Sequence, residues 1–290
     1  MRREHAPASG REHAPGVRVP AGVLVPGVRV PVGLLIVAVF TLAALLGPWC
    51  APFSPSQIDL LHEYRGPGGP HWLGTTDNGV DILSVLLHGA RLAGVVGLLS
   101  VGASVCIGTL LGAYAGLRGG RVDHVVTGLA DLVQAFPAIV LNIAIMALVA
   151  QPGVVHLVLA LSANGWVLYA RVVRSLALSL REREFVLAAR ALGASEARVL
   201  FRHVLPNVAG PLVVQATSGL GAAILAESTL SFLGLGPGKT ASWGALLDQG
   251  SAVLLRFPHV ALIAGGTIAV TVLGFNLAGD WLRDRLDPTG

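Results

Sequence analysis

Six long apolar runs dominate the chain, near 31–49, 91–117, 124–149, 154–173, 208–235 and 258–280. A helix needs roughly 20 mostly apolar residues to cross about 30 Å of hydrocarbon, where every backbone polar group must be satisfied within the helix. Each run meets that length. The second and third exceed it, so they tilt or extend past the bilayer. Only 12% of the residues are charged, against about 25% in a soluble domain. The predicted fold class is an all-α integral membrane protein with six transmembrane helices.

Charge supports the count. Arg and Lys accumulate on the cytoplasmic side of spanning helices. With six spans, sixteen of the 20 Arg and Lys residues fall on the side of the two termini and four on the other. Both termini are therefore expected in the cytoplasm, in a multi-pass protein of the plasma or inner membrane. No basic stripe is interleaved with aromatics, so nucleic acid is not an expected partner, whereas membrane lipid is. Cys50 and Cys106 are isolated and read as small apolar fillers rather than a disulfide or metal pair. The first run is too long for a signal-peptide core and no A-x-A site follows it, so it reads as a retained anchor.

The organisation follows. Residues 1–30 repeat R-E-H-A-P at Arg3–Pro7 and Arg11–Pro15, and V-R-V-P at Val17–Pro20 and Val28–Pro31. Frequent proline prevents a regular helix, so this reads as a disordered basic tail, one that skims anionic lipid or one that reflects a misassigned start. Residues 31–50 are the first anchor helix and 51–88 a polar outer-side segment. Residues 89–290 form a core of five spans with a cytoplasmic loop at 174–206. In the outer segment Asp77-Asn78-Gly79 is turn chemistry, and a short helix is expected after Asp81. Gly108, Gly112 and Gly116 form a small-residue ridge for close helix approach. Pro137 is expected to kink the third span.

The loop RSLALSLREREFVLAARALGASEARVLFRHVLP at 174–206 is too long for a plain connection. Phe185 to Leu192 is rich in helix formers, Gly193 suits the left-handed residue that ends a helix, and Ser195 suits an N-cap with Glu196 in the first turn. Leu205-Pro206-Asn207 is expected to close this second helix and open the fifth span. Two readings stay open for a helix–elbow–helix of this kind. One is a docking face, with Ala188 and Ala189 shallow enough to enter a partner groove. The other is an amphipathic pair lying on the membrane surface.

The stretch Phe185–Asn207 resembles the cytoplasmic loop of binding-protein-dependent ABC importer permeases, whose motif runs E-A-A, three residues, G, a spacer and L-P. Here Ala188-Ala189, Gly193 and Leu205-Pro206 stand in that order, with Leu187 at the usual acidic position. HWLGTTDNGVDILS from His71, ILAESTLSFLGLG (Ile224–Gly236), SWG (Ser242–Gly244) and FNLAGDWLRDRLDP (Phe275–Pro288) resemble the peptide and nickel branch, C-type subunit. That branch usually carries arginine where Val80 stands. The resemblance implies the type I ABC importer permease fold. It implies a second permease subunit as a heterodimer, two cytoplasmic ATPase subunits or domains that use ATP and Mg²⁺, and an extracytoplasmic substrate-binding protein. It places the ATPase-coupling residues at Phe185, Val186, Leu187, Ala188, Ala189, Arg190, Leu192, Gly193, Ala194, Ser195, His203, Leu205 and Pro206. The cargo it implies is di- or oligopeptide, with nickel or another small solute as the alternative.

No cofactor, metal site or catalytic constellation is expected in the chain itself, and so no enzyme activity. Gly236-Pro237-Gly238-Lys239-Thr240 ends like a phosphate-binding loop, but Leu233 stands where the pattern needs glycine, so a turn is expected. Polar residues inside spans are costly and are functional candidates by default. They are Asp131, Gln134, Asn142, Asn164, Gln215, Glu227, Asn276 and Asp280. Asp131 and Asp280 are expected to pair with loop arginines. Asn142, Gln215 and Glu227 are the candidates for the translocation path, with helix-to-helix hydrogen bonding the open alternative for Glu227. An ion-coupled secondary transporter is the competing class. It would show internal repeats and broken helices around ion ligands. The sequence shows no clear repeat, and that class leaves the 174–206 loop without a role.

Overall fold

The computed structural model describes residues 32–238 and 240–286. The expectations for the 1–30 tail, Lys239 and Asp287-Pro288 lie outside the described residues. Among these residues only helices, turns and two isolated bridges occur. Five stretches are long and apolar enough to cross a membrane: α1 (Val32–Cys50), α2 (Ile82–Arg118), α5 (Val154–Arg181), the stretch Glu196–Phe232, and α10 (Pro258–Leu286). The third apolar run is not one kinked span. It divides into α3 (Gly120–Gln134) and α4 (Ala138–Ala147), bent by 80° at Pro137, and makes a sixth span when the pair is counted as one. Pro137 is extended (φ −55°, ψ 129°) and acts as the N-cap of α4. Proline lacks the amide that would continue α3 and disfavours helix at the residue before it, which explains a break rather than a bend.

Boundaries elsewhere shift for local reasons. Helix α2 starts nine residues before the apolar run, because the Asp81 carboxylate caps it by accepting from the Ser84 amide at 2.8 Å. The short helix expected after Asp81 is the first part of α2 itself. At 37 residues, α2 is about 55 Å long and exceeds the hydrocarbon thickness. Helix α5 likewise runs on through Arg181, so the first eight residues of the 174–206 loop are span, not loop.

The spans pack through small residues. A side chain at Gly108, Gly112 or Gly116 would meet α5 within van der Waals distance: Tyr169 Cβ at 2.7 Å, Ala170 Cα at 2.9 Å and Ala177 Cβ at 2.7 Å respectively. The ridge read from the sequence is thus the α2–α5 contact. A second core joins α1, α2, α9 (Trp243–Ala252) and α10 around Phe40, whose ring meets Trp243 and Phe275 edge-on at 5.9 and 5.4 Å. The Trp243 indole donates to the Leu86 carbonyl at 2.9 Å. Between α1 and α2 the chain makes two 3₁₀ turns, Leu60–His62 and Asp77–Gly79, the second with Asn78 and Gly79 at positive φ as the Asp-Asn-Gly turn requires.

Ion pairs tie the broken span to α5. Arg171 donates to Asp131 at 2.7 Å, and Arg174 grips Asp123 through two nitrogens, one at 2.6 Å. Asp131 therefore pairs as expected. Asp280 has no ion-pair partner among the described residues.

Candidate functional site

The loop forms a helix, an elbow and a second helix. Helix α6 (Glu184–Ala191) carries Glu184 in its first turn and ends at Gly193, φ +82°. The Ala194 amide donates to Ala189 O at 3.0 Å and the Gly193 amide to Arg190 O at 2.9 Å. These are the two bonds of a Schellman stop, which saturates the last carbonyls and needs a left-handed residue. No atom lies within 4 Å of a built Cβ at Gly193, so backbone conformation, not space, demands glycine there. Ser195 Oγ then accepts from the Arg198 amide at 3.3 Å and starts α7 (Glu196–Val199). Arg190 reaches across the elbow to Glu196 at 3.2 Å.

The second helix is not closed by Leu205-Pro206. A π turn at Leu200–Val204 leads without interruption into α8 (Leu205–Phe232). The Leu205 amide bonds Leu200 O, five residues back. The wider turn accommodates a proline that can neither donate nor tolerate the carbonyl four residues before it.

Burial divides the loop residues into two sets. Val186, Val199, Leu200 and Val204 are buried against Ala113, Leu117, Val173, Ala177 and Val208. Val186 is thus the anchor of α6 and is not available to a partner, contrary to its place in the expected coupling set. Phe185, Leu187, Ala188 and Leu192 are exposed, Leu192 by 90%. Ala189, Arg190, Ala194, His203 and Leu205 are half-buried, and Gly193, Ser195 and Pro206 are exposed. His203 sits 6.0 Å from the Phe185 ring. The result is an apolar face that nothing among the described residues covers.

A cavity of about 580 Å³ lies among α2, α3, α4, α5 and α8, lined by Ser100, Ser104, Gln134, Asn142, Asn164, Tyr169 and Thr229 among apolar residues. Asn164 donates to the Asn142 side-chain oxygen at 2.6 Å, which fixes both amides toward each other. Of the three path candidates only Asn142 lines this cavity. Gln215 and Glu227 do not. Glu227 is 1% exposed and accepts from Ser231 Oγ at 2.7 Å, Ser242 Oγ at 3.1 Å and Ser228 Oγ at 3.4 Å. Ser242 also caps α9 by accepting from the Gly244 amide at 3.1 Å. Glu227 therefore clamps the start of α9 onto α8, the helix-to-helix alternative. The sequence signal for it was present in the two motifs, Ile224–Gly236 and Ser242–Gly244, whose hydroxyls supply all three donors. Pro237 and Thr240 close a turn, with the Thr240 amide on Pro237 O at 2.8 Å, as expected for that stretch.

Residues 108–289 match the family described as binding-protein-dependent transport system inner membrane component, and residues 31–67 match the N-terminal TM domain of oligopeptide transport permease C. The dipeptide transport system permease protein of Alkalihalophilus pseudofirmus is 40% identical over 253 residues, covering 87% of this chain and 83% of its own. The oligopeptide transport system permease protein of Bacillus subtilis is 37% identical with the same coverage. The nickel transport system permease protein of Escherichia coli K12 is 38% identical over 255 residues, covering 87% and 91%. Among solved structures, the inward-facing MetNI methionine ABC transporter superposes with a TM-score of 0.58 at 18% identity, covering 70% of this chain and 96% of that one. An amino acid ABC transporter superposes with a TM-score of 0.53 at 17% identity, covering 70% and 94%.

Proposed function

The chain belongs to the family of binding-protein-dependent transport system inner membrane components, and we propose that it serves there as the C-type subunit of an importer for di- or oligopeptides. It is a membrane-spanning permease of an ABC importer with the type I permease fold. Its role is transport, not catalysis.

The observation that carries the finer proposal is the uncovered face of α6. An isolated helix of eight residues does not persist in water. This one is held by a single buried anchor, Val186, and by the saturated elbow at Gly193, while Phe185, Leu187 and Leu192 stay exposed. Burying each such side chain is worth about 1.5–3 kcal/mol, so the face is suited to a partner rather than to water. The partner is a cytoplasmic ATPase. Two ATPase subunits or domains bind ATP and Mg²⁺. Their closure moves α6, and the unbroken π turn passes that movement into α8, which borders the cavity. The loop thus couples two conformational equilibria, and coupling of that kind is reciprocal. A second permease subunit completes a heterodimer, and an extracytoplasmic binding protein delivers the cargo. The excess of Arg and Lys on the loop side supports cytoplasmic termini in a plasma or inner membrane.

Peptide cargo is supported by the names of the dipeptide and oligopeptide relatives. The paired amides of Asn142 and Asn164 beside Ser100 and Ser104 offer both donors and acceptors to a peptide backbone. Nickel is the second reading, favoured by the E. coli relative at nearly the same identity. The break at Pro137 is a feature that an ion-coupled carrier would share, but that class leaves the α6 face without a role. The test is uptake in proteoliposomes holding the full assembly and the binding protein of the same system. Labelled dipeptide is expected to accumulate with ATP. Accumulation of Ni²⁺ without dipeptide would replace the peptide assignment by nickel.

A further inference from the structure

We propose that Asp59, His62 and His71, on the segment between α1 and α2, form a binding site for a divalent first-row transition cation. One oxygen and two imidazole nitrogens from these residues all lie within 4.8 Å of one another. They come from two separately built pieces of chain. Asp59 caps the first 3₁₀ turn by accepting from the Leu61 amide at 3.2 Å, and His62 on the same turn meets the Asp59 carboxylate at 2.7 Å. His71 arrives from a second turn and is buried, 5% exposed, under the Phe53 ring at 4.7 Å.

The orientation of His71 is the feature that points to a ligand. Its Nδ1 faces the buried Asp81 carboxylate at 3.0 Å, and Asp81 is fixed in turn by the Ser84 amide and hydroxyl, each at 2.8 Å. A carboxylate on one ring nitrogen sets the tautomer and leaves the other nitrogen as a lone pair, as in carboxylate–histidine–metal arrangements. His62 and Asp59 are about one-third exposed, so one side of the cluster is open to water that completes the coordination. Two imidazoles and one carboxylate select Zn²⁺, Ni²⁺ or Cu²⁺ over Mg²⁺ or Ca²⁺. Ligands at about 2.0–2.1 Å from an ion stand roughly 2.9–3.4 Å apart. A cation therefore parts the facing His62 and Asp59 atoms, 2.7 Å apart, by a fraction of an ångström. Its binding cross-links the 59–62 turn to the residue that abuts the start of α2.

The test uses the full chain with its partner subunits, in lipid nanodiscs and without a polyhistidine tag. ZnCl₂ and NiCl₂ are titrated calorimetrically, and the zinc form is examined by X-ray absorption. The expected result is one site with imidazole nitrogen in the shell, whose dissociation constant rises about tenfold or more in His62→Ala and in the isosteric Asp59→Asn. Replacement of the tail residues His5 and His13 by alanine is expected to leave it unchanged. Zinc binding unaltered by both site variants, loss of binding in the tail variant, or no uptake with zinc in large excess would each overturn the proposal.

Discussion

Replacing Gly193 separates the work of the elbow from that of the spans. Its φ of +82° lies in the left-handed region, and the space around a Cβ is open, so the cost of a substitution is almost wholly conformational. Asparagine tolerates that region and is expected to behave almost as wild type. Alanine costs about 1–2 kcal/mol there, a factor of roughly 5–30 in the population of the closed elbow. Proline cannot adopt a positive φ and removes the donor to Arg190 O, a penalty of about 3 kcal/mol or more. Because Val186 alone anchors α6 in the core, the penalty is expected to melt α6 locally and to leave the spans folded. The assay is co-purification of the ATPase from detergent extracts, with size-exclusion profile and limited trypsin digestion as checks on the membrane part. Retention of ATPase is expected to fall in the order Gly, Asn, Ala, Pro, with none for Gly193→Pro. ATPase bound normally by the proline variant, or asparagine as damaging as proline, would refute the reasoning.

Other substitutions probe the neighbouring elements. Leu192→Asp removes a side chain that is 90% exposed in the chain alone. It is expected to leave thermal stability of the purified subunit unchanged while weakening ATPase association by up to roughly 1.5–3 kcal/mol, read from pull-down affinity. Leu187→Glu puts a charge on the same exposed apolar face and is expected to weaken that association in the same pull-down. Gly112→Leu drives a side chain into the Ala170 backbone and is expected to cost at least about 1–3 kcal/mol of packing, seen as a lower melting temperature in detergent. Glu227→Ala leaves Ser228, Ser231 and Ser242 without their acceptor. At about 1–3 kcal/mol per buried unsatisfied group, it is expected to open the 233–242 turn to protease while α2 and α5 stay protected.

What was legible in the sequence followed from rules that act over a few residues. The Gly193 stop, the Ser195 cap and the Asp77-Asn78-Gly79 turn each depend on one residue's backbone preference or one short hydrogen bond, so the side-chain types announced them. Pro137 announced an interruption but not its 80° size, because the angle is set by how α4 packs on α5 and α8. Pro206 misled for a related reason. Proline commonly marks a helix boundary, yet a π turn keeps the helix continuous by shifting the bond of Leu205 to Leu200 O. The long-range arrangements were not legible. Glu227 meets Ser242 fifteen residues later only after the chain turns at Gly234. The cavity draws on five helices, and His62 meets His71 across two turns. Val186 looked like its exposed neighbours because a periodic apolar pattern does not say which side faces a core and which a partner.

The central claim is that transport through this chain is driven by ATP hydrolysed in a partner and transmitted through α6. The direct measurement is uptake by proteoliposomes that contain the permease pair and binding protein, with and without the ATPase subunits, in the presence and absence of an ion gradient. The expected result is uptake only with ATPase and ATP, insensitive to collapse of the gradient and lost in Gly193→Pro. Uptake that persists without the ATPase and follows the gradient would contradict it.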